Sequence, residues 1–553
     1  MNSALKRFTA SSLFWPLAFC ALFWACMVYV FYPVLPQNWV MLSPDNSKYY
    51  PTCSGTNFIE TLLAGKDGVV PLLLLNVIPP LIRQEFFYML ASFFAAVSVF
   101  YYLRTQNVPR LAAFGGGLFF AFSGYSFTLF CAGHGGYFMN ISCGLFAFGL
   151  INRCFQTRQS FYYVVLGATV IWAQFHQPDI WLLFVFLIAA YGVWRTIREW
   201  RVQKSVSFLI RVYPQFILTI LTILLIGSQQ IKVALTETLA GREKQFAEAS
   251  SVFADAKTVD VAKAAEQQKF ERWIFSTNWS LPPEDLLEFV VPGVFGNCSF
   301  QMPYPYWGRL GQPYAFQKGR MLPNYRQHTV YLGVVAFLFS LFAVWCWFTT
   351  HKQAKGSPEV LHKEAEKTCF ADVPFWIGAW IVCVVIALGR YTPVYHLVYS
   401  YVPYMDYLRA PVKFHHLVEL SNAFLAAYGI EYFRQAGSEA AVMRRRFGYF
   451  CGVCVVLLIA GYAVLQLRTT AIEQYISSIG FGQLATPLRE YAATNFLRSI
   501  GLVCMTGMFF VVASHKRILA TSITVLACSV IVLNTIDLAA VARRYVIPVN
   551  VGP

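Results

Sequence analysis

The sequence predicts an all-α polytopic membrane protein with about thirteen transmembrane helices. Three observations carry that prediction. The chain of 553 residues is 57% hydrophobic and only 13% charged. Its apolar stretches approach the twenty residues that span a hydrocarbon core of roughly 30 Å. The loops between them are alternately rich and poor in Arg and Lys, as the positive-inside bias requires.

Taken in order, with the N-terminus inside, the segments run 12–34, 86–103, 111–131, 137–151, 161–177, 180–194, 207–231, 329–348, 374–390, 415–433, 448–467, 498–514 and 518–536. The first begins after Lys6 and Arg7 like a signal peptide. It is too long for a cleavable core and ends in Tyr and Phe, so it reads as an uncleaved anchor. Arg104 and Arg110 flank the turn after the second segment, Arg153 and Arg158 follow the fourth, and Arg195, Arg198, Arg201 and Lys204 the sixth. Lys352 to Lys367 follow the eighth, Arg444 to Arg446 precede the eleventh, and Lys516 and Arg517 follow the twelfth. The net charge of +16 is thereby spent on topology. No basic face remains for nucleic acid, which is excluded as a partner. Thirteen crossings put the C-terminal tail outside.

Outward loops hold most of the remaining chain. The first, 35–85, contains Val69–Pro80, which is apolar but too short to span and reads as an interfacial helix. The largest, 232–328, is extracytoplasmic: Glu237–Arg272 is rich in Ala, Glu, Lys and Gln and reads as helix, and the rest is dense in Pro, Gly, Trp and Tyr. Residues 391–414 form a third outward loop, and 468–497 a fourth that reads as short amphipathic helix. The hydrophilic stretch Lys352–Asp372 faces inward. Most of the fourteen cysteines lie in apolar segments and read as small buried hydrophobes. Cys53 and Cys298 map to the outer face, where a disulfide between them is open.

Residues able to do chemistry concentrate on the outward side. Asp45, in Leu42-Ser43-Pro44-Asp45, lies one short step beyond the first segment. A carboxylate there either serves as general base or cation ligand, or caps an interfacial turn. His134 stands among glycines in Cys131-Ala132-Gly133-His134-Gly135-Gly136-Tyr137, a pattern fit for close backbone approach to a ligand or for a plain tight hairpin. The next outward turn carries His176 and Asp179 in Gln174-Phe175-His176-Gln177-Pro178-Asp179. Arg309, Arg320, Arg326 and His328 cluster before the eighth segment, and Arg409 and Lys413 stand before the tenth. Arg and Lys at the outer interface run against the positive-inside bias, as a phosphate site would, unless they snorkel or pair with Asp406 and Glu419.

The order of these pieces resembles the YfhO-like bacterial membrane proteins, members of the GT-C class of polyprenyl-phosphate-sugar-dependent glycosyltransferases. The matching residues are Pro44-Asp45, Phe122-Ser123-Gly124 leading to Gly133-His134, His176-Gln177 and Trp279-Ser280-Leu281-Pro282-Pro283-Glu284-Asp285. They continue through Tyr306-Trp307-Gly308, Tyr331-Leu332-Gly333 and Leu408-Arg409-Ala410-Pro411, cover most of 1–435 and thin out after it. The resemblance implies a GT-C-like catalytic module at 1–435, with 436–553 as C-terminal helices and a short outward tail. It implies an inverting glycosyltransferase of the bacterial plasma membrane. The sugar would pass from a polyprenyl-phosphate-linked donor to a cell-envelope glycan, polymer or protein on the extracytoplasmic face. Asp45 falls on the family's catalytic aspartate. His134, His176, Asp179, Arg309, Arg326, Arg409 and Lys413, read from their placement on the outward side, are the expected donor-phosphate and substrate residues. The second outward loop lacks the paired DxD or ExD of metal-dependent relatives and offers His134 instead, so a divalent cation is the one cofactor left open.

A lipid-linked-glycan transporter or flippase is the competing expectation. It calls for charged residues within the bilayer, whereas the polar residues here read as lying at segment ends.

Overall fold

The computed structural model describes residues 14–36, 39–41, 80–133, 141–172, 178–203, 206–233, 236, 241, 261–299, 302–311, 326–353, 369–402, 405–515 and 519–550. Seventeen helices are named here in chain order. They are α1 (Phe14–Phe31), α2 (Pro80–Thr105), α3 (Arg110–Ala121), α4 (Gly124–Cys131), α5 (Phe146–Thr157) and α6 (Ser160–Trp172). Next come α7 (Pro178–Gln203), α8 (Val206–Val233), α9 (Val261–Thr277), α10 (Val334–Gln353), α11 (Val373–Ala387) and α12 (Pro393–Tyr401). The last are α13 (His415–Arg434), α14 (Ser438–Leu467), α15 (Thr469–Ile476), α16 (Ala485–Ala513) and α17 (Ala520–Arg543). Helices suit these sequences because a helix satisfies its own backbone polar groups, which hydrocarbon cannot do.

Among the described residues six helical stretches are long and apolar enough to cross a membrane: α1, α7, α8, α14, the stretch ending in α16, and α17. Each of the thirteen apolar segments carries a helix; α2, α7 and α14 overrun their expected bounds, reaching Pro80, Gln203 and Ser438, and two segments differ further. Segment 111–131 is two helices, α3 and α4, broken at Phe122-Ser123. The helix expected at 498–514 begins at Ala485, so it rises well into the loop expected to be outward. The short helix expected in 468–497 is α15. Residues 69–79 of the expected interfacial helix and Cys53 lie outside the described residues, Pro80 is the first residue of α2, and Cys298 is buried.

The hub is α13, buried at eighteen of its twenty residues. Helices α3, α10, α11 and α17 pack around it. Its small residues Ala423, Ala426, Ala427 and Gly429 permit close approach. A Cβ at Gly429 would stand 2.0 Å from the Phe339 carbonyl oxygen of α10, so α10 and α13 touch backbone to backbone. Outside the hub, α14 and α16 form a hairpin whose α14 spanning window is only 11% buried; its apolar surface faces lipid.

Helix α17 lies against α1. Beyond them strand β1 (Trp39–Met41) pairs antiparallel with β2 (Pro548–Asn550), Val40 opposite Val549. The chain following the first helix and the chain following the last one therefore lie on the same side.

Charge also reaches into the bundle, at residues that stand at the ends of the expected segments 374–390, 498–514 and 518–536. Asp537 of α17, six residues (about 9 Å of helix) from its end, accepts two bonds from Arg498 of α16 at 2.7 and 3.0 Å, and a third from the Tyr331 hydroxyl at 2.5 Å. At the other end of the bundle, buried Asp372 before α11 accepts from Tyr102 (3.0 Å), Tyr191 (2.7 Å), Trp194 (3.1 Å) and Arg198 (2.6 Å). Burial alone would push this carboxyl up. Arg198, Arg195 and the hydroxyl and indole donors outweigh that and hold it below its ordinary range. Paired charges of this kind pin helices that apolar packing alone leaves free to slide.

Candidate functional site

The residues of the outward motifs, far apart in sequence, meet on the face that carries Arg309, Arg326 and Arg409. Gly124 N–H donates to the Tyr331 carbonyl at 3.2 Å, Leu281 N–H to Ala387 at 2.9 Å, Trp307 N–H to Phe295 at 2.9 Å and Val412 N–H to Trp279 at 3.2 Å. Segment 275–289 is the strip along which they gather. Gly389 is required beside it: a Cβ there would fall 2.1 Å from Ser280 Oγ, and its φ is +50°.

Arg409 lies at the mouth of α13 and is exposed. Its guanidinium sits 5.3 Å from the Trp279 ring and 5.8 Å from the Phe275 ring. Among the described residues no carboxylate pairs with it. Asp406, the partner a purely structural role would require, is 3.5 Å from Arg272 instead. Lys413 follows one turn later on the short 3-10 helix Pro411–Phe414. The two cations border a cleft lined otherwise by apolar and aromatic groups, among them Leu183, Tyr395, Met405, Leu408 and Phe414.

The backbone under Arg409 is strained. Ala410 has φ 66° and ψ 78°, although it precedes a proline, which favours extended backbone. Trp279, under the guanidinium, has φ 55°. Neither is a glycine, and such residues cost about 1–3 kcal/mol each and gather at ligand clamps. Among the described residues the two remaining left-handed non-glycine residues, Asn107 and Arg158, are at a turn and a helix C-cap, where this conformation is ordinary.

Arg326 is wholly buried. It pairs with Glu288, lies 3.5 Å from Asp285, donates to the His328 carbonyl at 2.5 Å and stacks on Tyr306 at 4.3 Å. Tyr306 in turn donates to Asp285 at 2.8 Å, and Thr329 to Glu288 at 2.6 Å. This network clamps the strip 283–289 to the chain entering α10. Arg309 is neutralised differently: its fork grips Glu284 at 2.5 and 2.8 Å, with Tyr391 5.3 Å beneath it. That hydrogen bonding holds the Glu284 carboxyl below its ordinary range. Of the outward cations expected to meet a phosphate, Arg326 and Arg309 thus already hold carboxylates, and Arg409 does not.

Asp45, His134 and His176 lie outside the described residues, and Asp179 is described only as a position in the first turn of α7. Several polar groups escaped sequence reading. Asp285 and Glu288 stand i,i+3 within Leu-, Phe- and Val-rich chain, a spacing that could have marked them as a buried pair. Glu419, just past the first turn of α13 and expected as an ion-pair partner of the outward cations, instead accepts from the N–H groups of Tyr125 and Ser126 and from Ser126 Oγ at 2.6 Å, placing a carboxylate on the N-terminus of α4. His416 Nδ1 is 2.8 Å from the same hydroxyl. Among the described residues no group of three or more His, Cys, Asp or Glu could hold a metal ion.

Burial pushes the Asp285 carboxyl up to about 7 from an ordinary 3.8, despite Arg326. Because the folded value is the higher one, the stability Asp285 contributes is complete below about pH 3.8 and is lost as pH rises through about 7. Asp285→Asn, which still accepts from Tyr306, should flatten the fall in unfolding midpoint across that window. A slope identical to the wild type would show that Asp285 is not the titrating group.

No family model, curated protein or solved structure matches the chain. Fold and apolar helices define an α-helical, multi-pass membrane protein in contact with a lipid bilayer.

Proposed function

We propose that this protein is an integral membrane glycosyltransferase. It moves a sugar from a polyprenyl-phosphate-linked donor to a cell-envelope acceptor on the extracytoplasmic face of the bacterial plasma membrane. The observation that carries the reading is Arg409: an exposed guanidinium without a described carboxylate partner, held over Trp279 at a strained junction and bordering an apolar cleft. A lipid phosphate needs this combination, a fixed cation for the oxygens beside an apolar surface for the chain. Asp45 would take the acceptor proton, and Arg409 with Lys413 would hold the departing phosphate, assisted by His134, His176 or Asp179.

The topology that goes with this reading has thirteen crossings, the N-terminus inside and the C-terminal tail outside. The pairing of β1 with β2 supports an odd number of crossings. Labelling of intact cells carrying Ala254→Cys should succeed without permeabilisation; labelling only after permeabilisation would reverse the active face.

Arg409→Ala should weaken binding of polyprenyl phosphate by about 2–5 kcal/mol, and Arg409→Lys should recover only part of it because the fork is lost. A variant that loses thermal stability yet binds polyprenyl phosphate normally would assign Arg409 to structure.

The transporter reading draws on one observation, the Arg498–Asp537 pair inside α16 and α17. Both charges are already satisfied by each other, so they read better as a helix clamp than as a carrier site.

A further inference from the structure

Beside the Arg409 cleft the strip continues into a second surface of different character. Trp307 packs edge-on against Phe295, ring centroids 5.0 Å apart, and against the cluster of Ile476, Ala485 and Leu488 at the turn between α15 and α16. The Tyr475 ring stands 6.4 Å from it at 71° and is 51% exposed. The Arg309–Glu284 pair is about half open to solvent, with side-chain exposures of 48% and 35%. The foundation is stiff: Tyr304 stacks on Tyr491 at 4.1 Å, and Tyr491 is bonded to Asn297 and Arg544 at 2.9 and 2.6 Å.

We infer that Tyr475, Trp307 and the Arg309–Glu284 pair form a binding site for a neutral glycan chain. A pyranose offers an apolar C–H face and a rim of hydroxyls that both donate and accept. The exposed aromatic face suits the first, and the fixed guanidinium–carboxylate pair supplies donors and acceptors for the second. The charge balance separates this site from its neighbour. Glu284 cancels Arg309, so an anion gains no net cation here, whereas Arg409 keeps its charge available. Because the platform is pinned before a ligand arrives, little conformational entropy is lost on binding. Resting on the reading above, this is the acceptor subsite. The helices beyond residue 435 then contribute to recognition through α15.

The test uses full-length protein in lipid nanodiscs, with maltotetraose and chitotetraose as probes and saturation-transfer NMR as readout. At least one should show transfer to its ring protons. Tyr475→Ala, a change at an exposed position, should weaken that binding at least tenfold, and Tyr475→Phe should retain it. Arg409→Ala should leave saccharide binding unchanged while lowering affinity for polyprenyl phosphate. Saccharide binding that survives where Arg409→Ala has no effect on polyprenyl phosphate would keep the glycan site and remove the donor reading. Absence of transfer from both saccharides in the wild type, or a signal unaltered by Tyr475→Ala, overturns the inference and leaves Tyr475 as an interfacial aromatic.

Discussion

Arg326→Ala should be the most destabilising single change on the face that carries Arg309, Arg326 and Arg409, by about 3–5 kcal/mol, the range for leaving a buried charge without its partner. The variant strands Glu288 and Asp285, both fully buried, and removes the cation stacked on Tyr306. It also frees the His328 carbonyl, so strip 283–289 loses its tie to the chain entering α10. Thermal unfolding in detergent, compared with Arg326→Ala combined with Glu288→Gln, measures the coupling: the second change should return part of the loss. Should Arg326→Ala unfold like the wild type yet fail to bind polyprenyl phosphate, Arg326 would be a ligand residue after all.

Asp45→Asn should lower glycosyl transfer by roughly 100-fold or more, because asparagine keeps size and hydrogen bonding but not basicity. The donor is bound through its phosphate, which Asp45 does not contact in the proposed mechanism, so polyprenyl-phosphate affinity should stay near the wild-type value. That split distinguishes a lost base from a lost fold. Near-normal turnover by a well-expressed Asn variant would move the catalytic role elsewhere.

Much of the architecture was legible because lipid imposes one rule on long apolar segments: satisfy the backbone internally. Positions such as 161–177 and 374–390 therefore translate directly into α6 and α11. The break at Phe122-Ser123 was hidden, since Ser123-Gly124-Tyr125-Ser126 is only a brief dip in a long apolar run and the cause is a distant partner, the Tyr331 carbonyl taken by Gly124. The start of α16 was hidden for the opposite reason. Its first three turns are polar on one side and owe their helical state to packing on Tyr304 and Asn297. In the candidate site, Arg409 was legible from its placement against the charge bias. That Arg309 and Arg326 would be matched by Glu284, Glu288 and Asp285 was not, because those pairs close across 25 to 41 positions. The burial of Glu419 against α4, nearly three hundred positions away, was equally invisible.

The pairing of β1 with β2 has a consequence for biosynthesis. Residues 39–41 leave the ribosome about five hundred positions before residues 548–550. Through most of translation the strand after the first helix therefore presents an open edge, and helix α1, though already able to pack on α2 and α3, lacks α17. A chain arrested before α17 would keep its inserted helices but expose that edge. Membrane quality control would have a direct mark by which to separate unfinished chains from finished ones.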